Sequence, residues 1–307
     1  GNVKDIGNVK DIEDLWKTNQ NTPKAEFSQT TIAFVKELCQ YDFSTKSPTE
    51  FSNAMQKIRK KLKTSPNKTQ LSAAYQYLVD TGLIKSHDTI CHHIKAKEMR
   101  GLSGVIVISV ITSPYPSYTD ENGKHHVQRF SCRHDCHYCP RELDSNGREV
   151  NARSYLSDEP TVARGLRYKY DPIDQYNDRA RQYQRNGHHV DKIEIIVLGG
   201  TWTEYPRQYQ QTYIRDIFYA ANVFYEDVHR DKLSLSDEQQ INETSKSRII
   251  GLTLEMRPDS IDDESIKWLR YLGCTRVQLG VQHIDREILR NVNRGCYVED
   301  AARALNK

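Results

Sequence analysis

Three thiols fall within eight residues of this sequence, in Cys132-Arg-His-Asp-Cys136-His-Tyr-Cys139. Spacings of three and then two intervening residues let one loop bring three thiolates to three corners of a cubane iron-sulfur cluster, leaving the fourth iron without a protein ligand. An open iron site is what chemistry at a cluster needs. The same thiols would serve a zinc knuckle if His125, His126, His134 or His137 completed the set. Zinc sites usually separate two ligand pairs by a longer spacer, and no second Cys-x-x-Cys occurs in the chain, which favours the cluster. Cys39, Cys91, Cys274 and Cys296 lack ligand spacing and read as buried thiols. An odd total of seven cysteines, three of them packed together, fits a reducing compartment better than a disulfide framework.

Other candidate groups follow that loop along the chain. Gly199-Gly200-Thr201 closes an apolar run, and two glycines there let a ligand approach exposed backbone, although a plain strand-ending turn has the same sequence. Glu255 and Arg257, two apart at the end of another run, offer opposite charges to a zwitterionic ligand, or else form a surface ion pair. Arg276, Gln278 and Gln282 alternate along a third run and should share one interior face, where buried polar groups require a ligand or a core network as partner. Lys192 alone reads as a solvated lysine.

These residues need a scaffold, and the texture after Gly101 supplies one: short β-branched runs alternating with longer helical periods, the pattern of strand-helix units. Four units are legible. Their strands are Val105–Ile111, Lys192–Leu198, Ile249–Leu254 and Arg276–Val281. The helices behind them cover about residues 159–185 (broken near Asp171-Pro172), 206–225, 262–272 and 285–292, with a polar Ser-rich insertion over 226–247. The candidate residues cluster just after the first three strands, where α/β barrels place their active sites, so the expected fold is α/β, a partial (β/α) TIM-like barrel.

Before it, residues 28–97 read as a small basic helical domain, with apolar stripes Ile32, Val35, Leu38, then Phe51, Met55, Ile58, Leu62, then Leu71, Ala74, Tyr75, Leu78, the last helix ending at Gly82. Ser47, Pro48 and Glu50 have the spacing of a capping box. Residues 51–100 hold ten Lys/Arg against three acids, although the whole chain carries only +3. Lys57, Lys60 and Lys61 share one helical face, either solvated or tracking a polyanion. Residues 1–27 read as a tail that opens with a direct hexapeptide repeat. The longest apolar stretch, Val105–Ile111, falls far short of the roughly 20 residues that cross a bilayer, so no membrane span is expected.

The cysteine spacing, with Tyr138 before the last thiol, resembles the radical S-adenosylmethionine (SAM) superfamily. The order of segments is similar to the family of the Elongator catalytic subunit: Ser103-Gly-Val-Ile-Val-Ile-Ser, Tyr138-Cys-Pro140, Ser154-Tyr-Leu-Ser-Asp-Glu-Pro-Thr161, Arg167-Tyr-Lys-Tyr-Asp-Pro172, Gly187-His-His-Val-Asp-Lys192, Leu198-Gly-Gly-Thr201, Glu255-Met-Arg-Pro-Asp259, Gly273-Cys-Thr-Arg276, Gly280-Val-Gln282 and Asn293-Arg-Gly295. The similarity runs from about Lys95 to the last residue. It implies a radical SAM core over 98–307 with a 4Fe-4S cluster on Cys132, Cys136 and Cys139. It also implies SAM beside Tyr138, Gly199, Gly200, Thr201, Glu255, Arg257, Gln278 and Gln282, and acetyl-coenzyme A at Lys192. tRNA would lie on Lys57, Lys60, Lys61, Lys95, Lys97 and Arg100.

The implied activity is carboxymethylation of C5 of a tRNA wobble uridine. A 5′-deoxyadenosyl radical would take hydrogen from the acetyl methyl group, in the cytoplasm, with Elongator-type protein partners or a homodimer. Alternatives are a radical SAM enzyme with another substrate, or a tRNA-binding protein with a structural metal site. The chain departs from the family in its tighter first cysteine spacing, in Pro140-Arg141-Glu142 after the last thiol, and in Gln278 and His283, where the family usually has Glu and Ser. It ends within a helical pattern, Asp300 to Lys307, after four of an expected six units, and holds no acetyltransferase-like domain, so the expectation is the front portion of a longer protein.

Overall fold

In the first part of the chain, each apolar stripe becomes the inner face of a helix: α1 Gln29–Leu38, α2 Pro48–Leu62, α3 Lys68–Asp80 and the short α4 Asp88–Ile94. The computed structural model describes residues 28–41, 43, 47–96, 98–226 and 230–307; the hexapeptide repeat, the tail to residue 27, Lys97 and residues 227–229 lie outside them. Phe34, Val35, Leu38, Ile58, Leu71, Leu78 and Ile90 are essentially solvent-free in one cluster, each such side chain contributing about 1.5–3 kcal/mol by burial. Ser47 does precede α2, but its side chain makes no capping hydrogen bond. The capping box forms at α3 instead, where the Asn67 side chain accepts from Gln70 N at 2.9 Å and the Gln70 side chain accepts from Asn67 N at 3.0 Å. Gly82 stops α3 with φ +69°, a conformation costly for any residue with a Cβ.

The described residues through Met99, together with Gln182–His189, form one compact unit, and Arg100–Arg181 with Val190–Lys307 form the other. In the second unit the elements are β1 Ile106–Ile111, a hairpin of β2 Ser117–Thr119 and β3 His125–Val127, α5 Pro160–Arg167, α6 Pro172–Arg185 (except its last turn from Gln182, which belongs to the first), β4 Lys192–Leu198, α7 Arg207–Val223, α8 Leu235–Asn242, β5 Arg248–Met256, α9 Asp263–Tyr271, β6 Arg276–Leu279, α10 Arg286–Asn291 and α11 Val298–Leu305. β1, β4, β5 and β6 pair in that order, all parallel, which is the α/β strand-helix succession expected of a partial barrel. Ile193 and Ile195 of β4 and Leu252 and Leu254 of β5 are buried, as central parallel strands require, and Ile108 and Val110 of the edge strand β1 are buried with them.

The open edge of β1 is shielded by side chains. Gln175, fully buried on α6, receives the Ile111 N–H at 2.9 Å and donates to the Ile111 carbonyl at 3.0 Å, while Arg164 of α5 donates to Ser109 O. β6 differs from expectation. It ends at Leu279, and Arg276, Val277 and Gln278 are exposed, not interior, because β6 lies at the other edge of the sheet with β5 as its sheet neighbour. Arg276 therefore pairs with the Glu194 carboxylate at 2.6 Å on the surface. The polar insertion over 226–247 contains structure, the helix α8, and the segment after β1 contains the β2–β3 hairpin. α8 is anchored by Glu238, whose carboxylate is fully buried and held by Arg230 and Asn222.

Candidate active site

All three motif cysteines follow β1 in a long loop and line one pocket with Phe130, His134, Tyr138, Arg153, Ser154, Gly200, Thr201, Arg257, Gln282 and Arg294. The loop is fastened at several points. His137 N donates to Val292 O at 2.9 Å, Asn293 Nδ2 donates to Asp135 O at 2.9 Å, and Arg153 pairs with Asp135 at 2.5 Å. All seven cysteines are free. Cys136 is buried, whereas Cys132 and Cys139 are half-buried, with the Cys139 sulfur 3.1 Å from the Ser154 hydroxyl. Among the described residues no group of three or more His, Cys, Asp or Glu has the mutual spacing of a metal-ligand set, so the thiols share a pocket without being drawn together. Of the histidines considered as a fourth zinc ligand, His134 lines the same pocket, and His125, His126 and His137 do not.

Two guanidiniums converge on the buried sulfur. Arg257 Nη1 and Arg294 Nη1 each lie 3.7 Å from Cys136 Sγ, and both side chains are nearly solvent-free. Arg257 also grips Asp259 through two bonds of 2.9 and 3.2 Å and donates to Arg294 O at 2.7 Å. Its guanidinium holds the Asp259 carboxyl below the usual carboxylate range, against the opposing effect of burial. Burial, then the Arg257 charge, push the His134 imidazole below its ordinary value. Gly295 gives that ring its room: a Cβ there would lie 2.3 Å from it.

Gly199 and Gly200 leave the end of β4 at φ +134° and +89°. A Cβ on Gly199 would fall 1.7 Å from Thr112 Oγ1, and one on Gly200 would meet Phe130 at 3.1 Å. Beneath them runs a stack of aromatic rings, Phe130 on Tyr205 at 4.5 Å, then Tyr205, Tyr209 and Tyr213 at 5.5 Å intervals. The Tyr205 hydroxyl donates to Gly199 O and accepts from Thr112 Oγ1 at 2.7 Å. Gly200 thus lines the thiol pocket against Phe130, with Gly199 packed behind it against Thr112 and Tyr205.

The sequence profile of the Radical SAM superfamily matches residues 130–307. The chain belongs to the radical SAM superfamily. Similar proteins include a tRNA uridine(34) acetyltransferase of Methanocaldococcus infernus, 38% identical over 212 residues, which cover 69% of this chain and 36% of that protein. Elongator complex protein 3 of Schizosaccharomyces pombe is 32% identical over 210 residues, 68% of this chain and 35% of its own length. The chain thus spans about a third of the length of these relatives. A solved structure of archaeal Methanocaldococcus infernus Elp3 lacking its N-terminus superposes with a TM-score of 0.46 and 32% identity, over 66% of this chain and 34% of that one.

The radical SAM unit brings Cys132, Cys136, Tyr138, Cys139, Gly200, Thr201, Arg257 and Gln282 to one pocket, with Gln282 past the end of β6 at φ +71°. Gly199 lies just behind it. Gln278 does not reach it, for the edge-strand reason given above. Glu255 and Arg257 have different partners: Arg257 serves Asp259 and Cys136, whereas Glu255 accepts from the Tyr155 hydroxyl at 2.6 Å. The surface ion pair entertained for them is not formed, since Arg257 is 2% exposed. Lys192 opens β4, whereas the glycines close it, seven residues away and so about 23 Å at the rise of a parallel strand. Arg153, Arg294 and the tyrosine stack were missed. Tyr205, Tyr209 and Tyr213 carry the i, i+4 spacing of one helical face and were findable on that basis. Of the four cysteines expected to be buried, Cys296 is, while Cys39, Cys91 and Cys274 are half-buried.

Burial raises the Glu255 carboxyl above the ordinary carboxylate range, and the Tyr155 hydrogen bond opposes that shift. Folding therefore favours its neutral form. That contribution is complete below the unfolded value and is lost as pH rises through the raised folded value. Glu255→Gln, permanently neutral, should abolish this component, so the melting temperature of the wild type relative to the variant should fall as pH rises from 5 to 8. A constant difference would show that Glu255 does not titrate in that window.

Proposed function

We propose that the chain carries the radical-generating function of a tRNA wobble-uridine modifying enzyme, with SAM and acetyl-coenzyme A as co-substrates and tRNA as acceptor. One observation carries it: three free thiols line one pocket of a radical SAM unit, the buried one faced by two guanidiniums. The donor set fits a 4Fe-4S cluster, with Cys132, Cys136 and Cys139 as its ligands and the arginines as counter-charge. When bound, such a cluster supplies the electron that cleaves the SAM sulfonium to a 5′-deoxyadenosyl radical.

The remaining work belongs to the protein. The open backbone at Gly199-Gly200-Thr201 receives the polar end of SAM, with Gln282 and Tyr138 on the same rim. The Phe130–Tyr205 stack closes the floor and excludes water from a species that would otherwise be quenched. Glu255, held by Tyr155, fixes the strand end beneath. Lys192, at the opposite end of β4, is too distant for the reacting methyl group, so its role toward the acyl donor is to hold the remote anionic portion. The names of the relatives support uridine 34 and the acetyl donor. Free thiols suit the reducing cytoplasm. Among the described residues no helix is long and apolar enough to cross a membrane. Protein partners of the Elongator type, or a second copy, would complete the assembly.

The tRNA part of the proposal rests on Lys57, Lys60 and Lys61, exposed on α2, with Lys95 after α4 in the same unit and Arg100 in the other. Lys61 is shared with Glu37 at 2.6 Å, an exposed pair of little strength. Replacing Lys57, Lys60 and Lys61 by Glu should lower tRNA affinity at least about tenfold near 0.1 M salt and reduce the slope of log K against log salt by roughly 2. Equal affinity and slope in a filter-binding titration would make the face a solvated one. Iron-sulfide reconstitution under anaerobic conditions tests the cluster: the protein should turn brown and bind iron stoichiometrically. Zinc in the anaerobically isolated protein, with no iron uptake, would overturn it.

A further inference from the structure

Arg294 has an unusual electrostatic position. Its side chain is 6% exposed, Nη2 donates to Gly280 O, Nη1 faces Cys136 Sγ at 3.7 Å, and Nε is buried with no hydrogen-bond partner. Arg257, the other guanidinium on that sulfur, is neutralised by two bonds to Asp259. No carboxylate plays that part for Arg294 among the described residues, and a buried charge without a counter-charge is costly. On its pocket side the guanidinium points at the Cys136 sulfur, a group able to carry negative charge. The other two thiols are half-buried, Cys139 beside the Ser154 hydroxyl, and the guanidinium near both of them, Arg153, has Asp135 as its counter-charge.

We propose that Arg294 is a positioning residue that sets the reduction potential of the cluster through Cys136. This rests on the cluster reading above. Three thiolates around the oxidised core leave a net negative charge, and the one electron supplied by dithionite adds another with no proton taken up. A fixed positive charge in a dry site favours the more negative state, so Arg294 raises the potential and makes the electron easier to accept. Its hold on Gly280 O, at the end of β6, keeps the guanidinium from turning away when charge builds on the sulfur.

The test is a redox titration of anaerobically reconstituted wild type, Arg294→Gln and Arg294→Lys, followed by electron paramagnetic resonance, with iron content measured on each. Arg294→Gln should bind iron as the wild type does but show a lower midpoint, so that a dithionite concentration half-reducing the wild type reduces it several-fold less. Arg294→Lys should return most of the shift. An unchanged midpoint in Arg294→Gln, or loss of iron from both variants alike, would overturn the proposal. Iron lost from Arg294→Gln but retained in Arg294→Lys would also overturn it, since the charge would then be needed to hold the cluster and not to set its potential. Failure of the wild type to bind iron would instead overturn the cluster reading itself.

Discussion

Cys136→Ala should abolish iron retention and with it any reductive cleavage of SAM, a loss of at least about a thousandfold against the reconstituted wild type. Three protein ligands hold a four-iron cluster and leave one iron open, so removing one leaves only two irons held by protein. Cys136 is also the best-supported of the three, being buried and faced by Arg257 and Arg294. Without its sulfur, two buried N–H donors lose an acceptor, so the variant should also be less stable by about 1–3 kcal/mol. Cys132→Ala and Cys139→Ala should lose iron without that second penalty, since neither sulfur has a comparable pair of donors. Cys296→Ala is the matched control. It is buried, as Cys136 is, but lies outside the pocket lining, and it should keep its iron. Iron analysis and absorbance near 400 nm, with urea unfolding alongside, separate the two effects.

Gly199→Ala should be the most damaging single methyl in the radical SAM unit. The added Cβ would fall 1.7 Å from Thr112 Oγ1, and the backbone there has φ +134°, which only glycine adopts readily. Thr112 has little freedom to yield, because its hydroxyl bonds Leu198 O at 3.2 Å and the Tyr205 hydroxyl at 2.7 Å. Overlap and strain together should cost about 3 kcal/mol or more, a fall in melting temperature of roughly 10 °C. Thr112→Ala removes the nearest atom, so the double variant should lose less than the sum of the singles. Strict additivity would assign the cost to backbone strain alone.

The scaffold was legible where chain pattern and burial coincide. β4 was read from Lys192 to Leu198, its observed bounds, because a β-branched run is bracketed by Asp191 and the two glycines. The helix break at Asp171-Pro172 appears as separate α5 and α6 for the same kind of reason. β6 was misread because alternation does not say whether a strand is flanked on both sides; at an edge, Arg276 and Gln278 meet solvent. The cysteine loop could be placed by spacing, but its electrostatics could not. Arg294 contacts a sulfur 158 residues earlier in the chain, and no local pattern around Asn293-Arg-Gly295 marks it as buried. The capping box went to Asn67 instead of Ser47, since both starts carry suitable residues and only the turn geometry chooses between them.

The central claim is that this pocket generates a radical from SAM. The direct measurement is chromatographic quantification of 5′-deoxyadenosine after anaerobically reconstituted protein is mixed with SAM, with and without dithionite. 5′-Deoxyadenosine and methionine should form in equal amounts, dependent on dithionite and absent with Cys136→Ala. A wild-type protein that holds about four irons per chain, accepts an electron and still leaves SAM intact would contradict that claim.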